Sequence, residues 1–249
     1  MGNPRFITYM DNQAIWMTLV TATTNLFTVP SIVMLFKRAS DKKHQTLMFP
    51  SFIGILTLIS SFMYHLTESI QVDELFLDSG NWHKVDNVGA ILCFQNLAIF
   101  LMDNKERMAD EILQYSALMV TLLAQEKAPW ELEYTLIPIL LAWICYFAKV
   151  IYNRKFPTYN KRMLRRGLVM MGIAVFCFTQ GLDEFADFLR IWHGLWHAFV
   201  AFSSFYLWQA LSEPHDEIEL GDAIVNGYRY VFEAFVLIFR GHKTDKVMQ

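Results

Sequence analysis

Two histidines lie four residues apart in the apolar segment at 191–211. On a helix, His193 and His197 would share one face, one turn apart. Two imidazoles at this spacing can bind a single metal ion. Such pairs also arise by chance, so the other polar residues of the apolar segments have to be considered with them.

Three of those residues fit the same chemistry. Ser61 and His65 are also four apart, and Asp86 lies in the first turn of the next apolar segment. His65 and the two histidines of 191–211 would hold Zn²⁺ and leave a fourth position for water, whose pKa zinc lowers to about 7. Asp86 would act as the general base or orient a ligand, and Ser61 would hydrogen-bond the water or the oxyanion.

Other roles for these residues stay open. Haem ligation by facing imidazoles, for example His65 and His197, is an alternative to zinc. His83 would replace a ligand if one of the three histidines were wrong. Glu68 is either a solvated acid or a partner of a ligand, and Ser61 is either catalytic or a helix-packing residue.

The composition is that of an integral membrane protein. Hydrophobic residues make up 54% of the 249 residues and charged residues only 18%, which does not fit a soluble domain. The net charge of −3 and the absence of a basic stripe argue against a nucleic-acid partner. The three cysteines lie singly in apolar segments, without the spacing of a thiolate zinc site.

Seven segments are predicted to be membrane spans, since a helix needs about 20 residues to cross the hydrocarbon core. Their short connections predict an all-α fold: a seven-transmembrane helix bundle over 1–212, then an acidic tail and amphipathic helix over 213–249. The fourth segment is the most polar, with Asp110, Glu111 and Gln114 in its first turns. The segments are 13–36, 47–70, 85–102, 108–125, 134–152, 166–182 and 191–211.

Basic and acidic residues largely alternate between successive loops. Lys and Arg are concentrated after the first, third and fifth spans, which places the N-terminus outside or in a lumen and the C-terminus on the cytosolic or matrix side. The segment 223–240 is predicted to be an interfacial helix on the inner face. An eighth span and a helix packed on a partner protein are the alternatives.

This topology brings the candidate residues to one side of the membrane. The second span ends outside, and the third and seventh begin there, so all five residues would lie at similar depth near the outer face. A lipid that carries an ester or amide bond would be the natural substrate of a zinc site in this position.

Ser-x-x-x-His in the second span, Asp in the third and His-x-x-x-His in the seventh resemble the motif of the CREST superfamily of seven-helix membrane proteins. That group includes alkaline ceramidases, progestin and adiponectin receptors, Per1-like GPI-lipid remodelling proteins, and the myomaker and post-GPI-attachment phospholipase branch. The long interval between His65 and Asp86 is more similar to the last branch. The resemblance implies a seven-helix fold and Zn²⁺ held by three histidines. The residues that carry it are Ser61, His65, Asp86, His193 and His197.

Three classes of function remain open at this point. The favoured class is a zinc-dependent hydrolase of an ester or amide bond in a membrane lipid. The second is a non-catalytic membrane subunit or scaffold of a larger complex, with other membrane proteins as partners and a structural metal site. The third is a receptor or membrane-remodelling factor, and the fold alone does not decide among them.

Overall fold

The computed structural model describes residues 11–40, 42–70, 76–183, 186–213 and 216–244, which form helices and no strand. Three short 3-10 helices, Asn25–Thr28, Lys42–Leu47 and Phe188–Arg190, join longer elements. The predicted all-α class is confirmed. The α-helices are α1 (Asp11–Thr24), α2 (Val29–Ala39), α3 (Met48–Ile70), α4 (Ser79–Leu101), α5 (Arg107–Lys127), α6 (Leu132–Asn153), α7 (Lys161–Gly181), α8 (Ile191–Leu207) and α9 (Leu220–Thr244).

Five helical segments within the described residues are long and apolar enough to cross a membrane, so the chain is a multi-pass membrane protein. The two other predicted spans are helices as well, but α5 begins with charged residues and α8 has only 17 residues. At about 1.5 Å per residue, a helix as short as α8 falls just below the thickness of the hydrocarbon core. The count of seven stays a prediction. The five segments are Ile15–Ala39, His44–Ser69, Ser79–Leu101, Leu132–Asn153 and Lys161–Gly181.

Two helices begin earlier than their apolar segments. The Asp78 side chain caps α4 by accepting a hydrogen bond from the Asn81 backbone N at 2.8 Å. The Asn160 side chain caps α7 in the same way, accepting from the backbone N of Met163 at 3.3 Å. Polar residues therefore form the first turns of both helices, which hydropathy alone assigns to loops.

The helices pack in a continuous series. α4 contacts α3, α5 and α6, while α1 contacts α3 and α8, and α8 packs along α7. Glycines allow two of these crossings to be close: a Cβ on Gly89 would lie 2.5 Å from Thr57 Oγ1, and one on Gly194 would lie 2.6 Å from Val20 Cγ1. Small residues of this kind let membrane helices approach through their backbones.

Buried amides join α4, α5 and α6 around Pro138. Proline has no N–H, so the carbonyl four residues earlier, on Tyr134, loses its helical donor. Gln125 Nε2 replaces that donor at 3.1 Å. Gln95 Nε2 donates to the Pro138 carbonyl at 3.0 Å, and Thr121 Oγ1 donates to Gln95 Oε1 at 2.8 Å. This network ties α5 into the bundle despite its polar composition.

The described part of the predicted tail folds back onto the bundle. Near the end of α8, Gln209 is fully buried; its Oε1 accepts from the Ile218 backbone N at 2.7 Å and its Nε2 donates to the Ile218 carbonyl at 3.3 Å. Glu217 accepts from Asn160 Nδ2 at 2.6 Å and pairs with Arg162. We call this end of the molecule, where α2 and α8 end and α7 begins, the basic end. Residues 214–215 and 245–249 of the predicted tail lie outside the described residues.

The last helix, α9, runs antiparallel to α2. It starts at the basic end, and Gly227 reaches Pro30 at the opposite end of α2, where the Tyr228 hydroxyl donates to the Leu26 carbonyl at 3.2 Å. α9 is not among the described segments that are long and apolar enough to cross a membrane, and its early turns pack along α2.

Candidate metal centre

Three imidazoles from two helices face one another at the end of the bundle opposite the basic end. His65 comes from the last part of α3, and His193 and His197 come from the first turns of α8. Their ring centroids lie 4.7 to 5.0 Å apart. The Nε2 atoms of His65 and His193 are separated by 3.2 Å. The structure thus brings together the three histidines that the sequence proposed as metal ligands.

The donor set fits a small metal ion. One nitrogen from each ring lies within 4.8 Å of the others. In a tetrahedral site with Zn–N bonds of 2.0–2.1 Å, ligand nitrogens lie roughly 3.4 Å apart, so small movements of the rings would complete the geometry. Mutual contact of all three rings favours a single ion over a haem, whose wide macrocycle has to lie between its two axial imidazoles.

His197 is anchored by α1. Its Nδ1 lies 3.1 Å from the Thr21 carbonyl and 3.3 Å from Thr24 Oγ1, and its side chain is buried. The close crossing at Gly194 makes this contact possible because α8 can approach the α1 backbone. An Nδ1–H donated to a carbonyl leaves Nε2 as the nitrogen that binds a metal.

His65 is anchored within α3. Its Nδ1 lies 3.4 Å from Glu68 Oε2, and the other carboxylate oxygen accepts from the Tyr64 hydroxyl at 2.9 Å. His65 is only 1% exposed, whereas the Glu68 side chain is 31% exposed. Glu68 is therefore a partner of the candidate ligand and not a fully solvated acid.

The start of α8 has a special backbone conformation. Leu189 and Arg190 both adopt the left-handed region, with φ of 54° and 58°, which is uncommon for residues other than glycine. Asp187 accepts hydrogen bonds from the backbone N of Trp192 at 2.9 Å and of His193 at 3.1 Å. These two bonds satisfy amides that a helix leaves free at its first turn, and they hold His193 in place.

Asp86 on α4 and Ser61 on α3 contact each other where the two helices pack together. Ser61 is buried and Asp86 is partly buried. The Asp86 carboxylate interacts with the Ser61 side chain and, through its charge, with His65. Among the described residues, the group that can hold a metal consists of the three histidines and does not include Asp86.

His83 occupies a separate position. Its ring stacks on Trp130 with centroids 3.7 Å apart and an interplanar angle of 4°, and it meets Tyr64 edge-on at 4.9 Å. The three-histidine group does not include it. Its aromatic neighbours account for its position near the end of the bundle.

Several residues that shape the site escaped the sequence analysis. Asp187 and Arg190 lie in a loop whose fold no local pattern indicated. The Thr21 carbonyl carries no sequence signal, because any residue supplies one. Glu68, by contrast, was already proposed from the sequence as either a solvated acid or a partner of a ligand, and its spacing of three residues from His65 places both on one helix face.

Comparison with known proteins adds a family. A family model described as a protein of unknown function, DUF3522, matches residues 13–198. The match includes residues 13–24 of α1, among them Thr21, which anchors His197, and all five candidate residues. No curated protein matches the chain significantly.

Proposed function

Because the chain belongs to the DUF3522 family, whose function is unknown, we propose from its own site that it is a zinc-dependent membrane hydrolase. Its substrate class would be a lipid with an ester or amide bond. The observation that carries the proposal is the convergence of three imidazoles, two of them anchored through Nδ1. Asp86 adds an acid that contacts Ser61 and acts on His65 through its charge.

Each residue has a defined role in this proposal. Zinc, when bound, would act as a Lewis acid and lower the pKa of a bound water. His65, His193 and His197 would hold the ion through neutral imidazoles. Asp86 would accept the proton of the attacking water, and Ser61 would orient the carboxylate or donate to the oxyanion.

The substrate class follows from where the site lies. The histidines belong to helices of a multi-pass membrane protein, and the outer surfaces of these helices expose large apolar side chains such as Phe52, Ile59 and Leu195. A substrate that arrives from the bilayer would be amphipathic, with its reactive bond near the histidines at the end of the bundle opposite the basic end.

The finer architecture is part of the same proposal. We count α5 and α8 as spans, since buried amides hold α5 against its neighbours and α8 packs along its length against α7. This gives the seven-helix arrangement of the CREST superfamily, with the N-terminus outside or in a lumen.

Metal analysis of the purified protein tests the proposal. Plasma mass spectrometry without chelators is expected to find near-stoichiometric zinc in the unaltered protein and none in the His193→Ala/His197→Ala variant. His83→Ala is the matched control, because this histidine is close to the site but outside the three-histidine group. Equal zinc content in all three proteins would show that His193 and His197 are not metal ligands. Absence of metal from the unaltered protein would contradict the proposed zinc site.

A second candidate function has one observation in its favour. An open, largely apolar depression at the basic end is lined by residues of α7, and such a surface suits a partner membrane protein. These residues are Lys161, Leu164, Arg165, Leu168 and Val169. In a non-catalytic membrane subunit, the three histidines would hold a structural metal ion. Turnover of ceramides, phospholipids or GPI lipids by the zinc-loaded protein decides between the two, since a structural centre gives none.

A further inference from the structure

Glu68 occupies a special position behind the candidate ligand His65. It lies on the same face of α3, and both of its carboxylate oxygens have partners within that helix. We propose that Glu68 is the positioning residue of the metal centre: its contact with Nδ1 fixes the His65 tautomer whose Nε2 faces the ion. This inference rests on the proposed metal site and adds to it a residue that does not touch the metal.

The geometry defines which nitrogen carries the proton. A neutral imidazole has one N–H donor and one acceptor nitrogen, and an ionised carboxylate only accepts. With Glu68 Oε2 3.4 Å from His65 Nδ1, the proton belongs on Nδ1. The lone pair of Nε2 is then free, and Nε2 is the atom that lies 3.2 Å from His193.

A second contact holds the carboxylate in place. The Tyr64 hydroxyl donates to Glu68 Oε1 at 2.9 Å, and Tyr64 is itself buried and packed against the rings of His65 and His83. Arg190, which is 5% exposed, also attracts the Glu68 carboxylate. A carboxylate held from two sides can orient an imidazole more strictly than a mobile surface acid can.

The same arrangement occurs at a second ligand. The Thr21 carbonyl faces His197 Nδ1 at 3.1 Å, so two histidines from different helices are both presented through Nε2. The Thr21 contact uses backbone and cannot be removed by substitution. Of the two groups that contact the Nδ1 atoms of the histidines, Glu68 is therefore the one that a substitution can test.

Zinc affinity measured by chelator competition on the purified full-length protein is the test. Outer partners of metal-binding histidines typically contribute 10- to 100-fold in affinity, so Glu68→Ala is expected to weaken zinc binding by about that factor. Glu68→Gln keeps an acceptor for Nδ1–H and is expected to restore most of the affinity. Glu126→Ala is the matched control, since this acid is 75% exposed and pairs with Lys84 instead of a histidine.

A second readout reports the tautomer directly. In metal-free protein labelled with ¹⁵N-histidine, the His65 signals are expected to show protonated Nδ1 in the unaltered protein and in Glu68→Gln. A mixture of tautomers is expected in Glu68→Ala. This readout does not depend on activity, and thermal unfolding of each variant checks that the fold is retained.

The outcomes separate the two proposals. Unchanged zinc affinity and an unchanged tautomer in Glu68→Ala would overturn the role of Glu68 while leaving the metal site intact. An unaltered protein that binds no zinc would overturn the metal site itself and the role of Glu68 with it. A third outcome would also contradict a positioning role: Glu68→Ala loses zinc affinity, Glu68→Gln does not restore it, and the His65 tautomer is unchanged in both variants.

Discussion

At the scale of single residues, the histidine site collects polar groups that are costly to place in an apolar bundle. His65, His197 and Ser61 are buried, and each would lose free energy if left without a partner. Ionisable residues in membrane helices are rare and usually functional for this reason. The contacts of Glu68 and the Thr21 carbonyl show how the cost is offset: each anchors one ring nitrogen and leaves the other facing the centre.

Asp86 provides the residue-scale prediction. Replacing it with Asn keeps the shape and the neighbours of the side chain but removes the group that would accept a proton. We expect Asp86→Asn to retain zinc and to lower the turnover of a lipid substrate by about 10²-fold or more. Parallel measurement of metal content and hydrolysis checks this, and unchanged turnover would assign Asp86 a structural role.

At the scale of elements, the site depends on how closely helices approach. α8 presents two histidines, but it meets α1 only because Gly194 lies at the crossing, between those histidines. α3 and α4 approach at Gly89 in the same way, which brings Asp86 near Ser61. Elsewhere, buried amides rather than glycines join α4, α5 and α6.

Gly194→Ala tests the α1–α8 crossing. The added Cβ would lie 2.6 Å from Val20 Cγ1 and 3.2 Å from the Val20 carbonyl, so α8 has to move away from α1. We expect a loss of about 1–3 kcal/mol in stability and weaker zinc binding, because His197 would separate from the Thr21 carbonyl.

Gly172→Ala is the matched control for this experiment. A Cβ at Gly172 meets nothing within 4 Å, and alanine favours a helix over glycine. Unfolding in detergent measures the stability of each variant, and competition with a chelator measures its zinc affinity. Equal behaviour of the two variants would show that the close crossing does not position the site.

Gln125→Leu tests the amide network. The variant leaves the Tyr134 carbonyl, freed by Pro138, without its donor. We expect a loss of roughly 1 kcal/mol, the usual order for a hydrogen bond between membrane helices. Met119→Leu, on the exposed side of α5, should leave the unfolding transition unchanged, and a similar shift in both variants would argue against the network.

At the scale of the whole molecule, the two ends of the bundle have different roles. The histidines and their partners lie at one end. At the other, Arg38 donates to the Trp208 carbonyl, and Lys149 donates to the Met102 carbonyl at 2.8 Å. These cations interact favourably with the ends of α8 and α4, where carbonyls carry partial negative charge. The tail closes the same end through Gln209 and Glu217.

Deleting residues 213–249 tests this separation. The deletion removes both hydrogen bonds between Gln209 and Ile218 and uncovers core residues that pack against Ala223. We expect a lower unfolding temperature but unchanged zinc stoichiometry. Loss of zinc from a folded truncated protein, judged by its elution and helix content, would contradict the independence of the two ends.

Sequence alone determined the membrane class, the helical segments and the spacing of the candidate ligands, because hydropathy and helical periodicity are local properties. It also determined that His65 and the pair at 193 and 197 belong near one end, since alternating spans return to the same side. It missed the starts of α4 and α7, because side-chain caps extend helices into polar residues.

Only the tertiary structure decided how the site is assembled. The contact between the Thr21 carbonyl and His197 depends on a crossing between helices far apart in the chain. The stacking of His83 on Trp130, which separates it from the ligands, joins α4 to the loop after α5. The course of α9 along α2 depends on the fit of Gly227 against Pro30. Each of these three contacts depends on packing between segments that are distant in the chain, and no local sequence pattern predicts such packing.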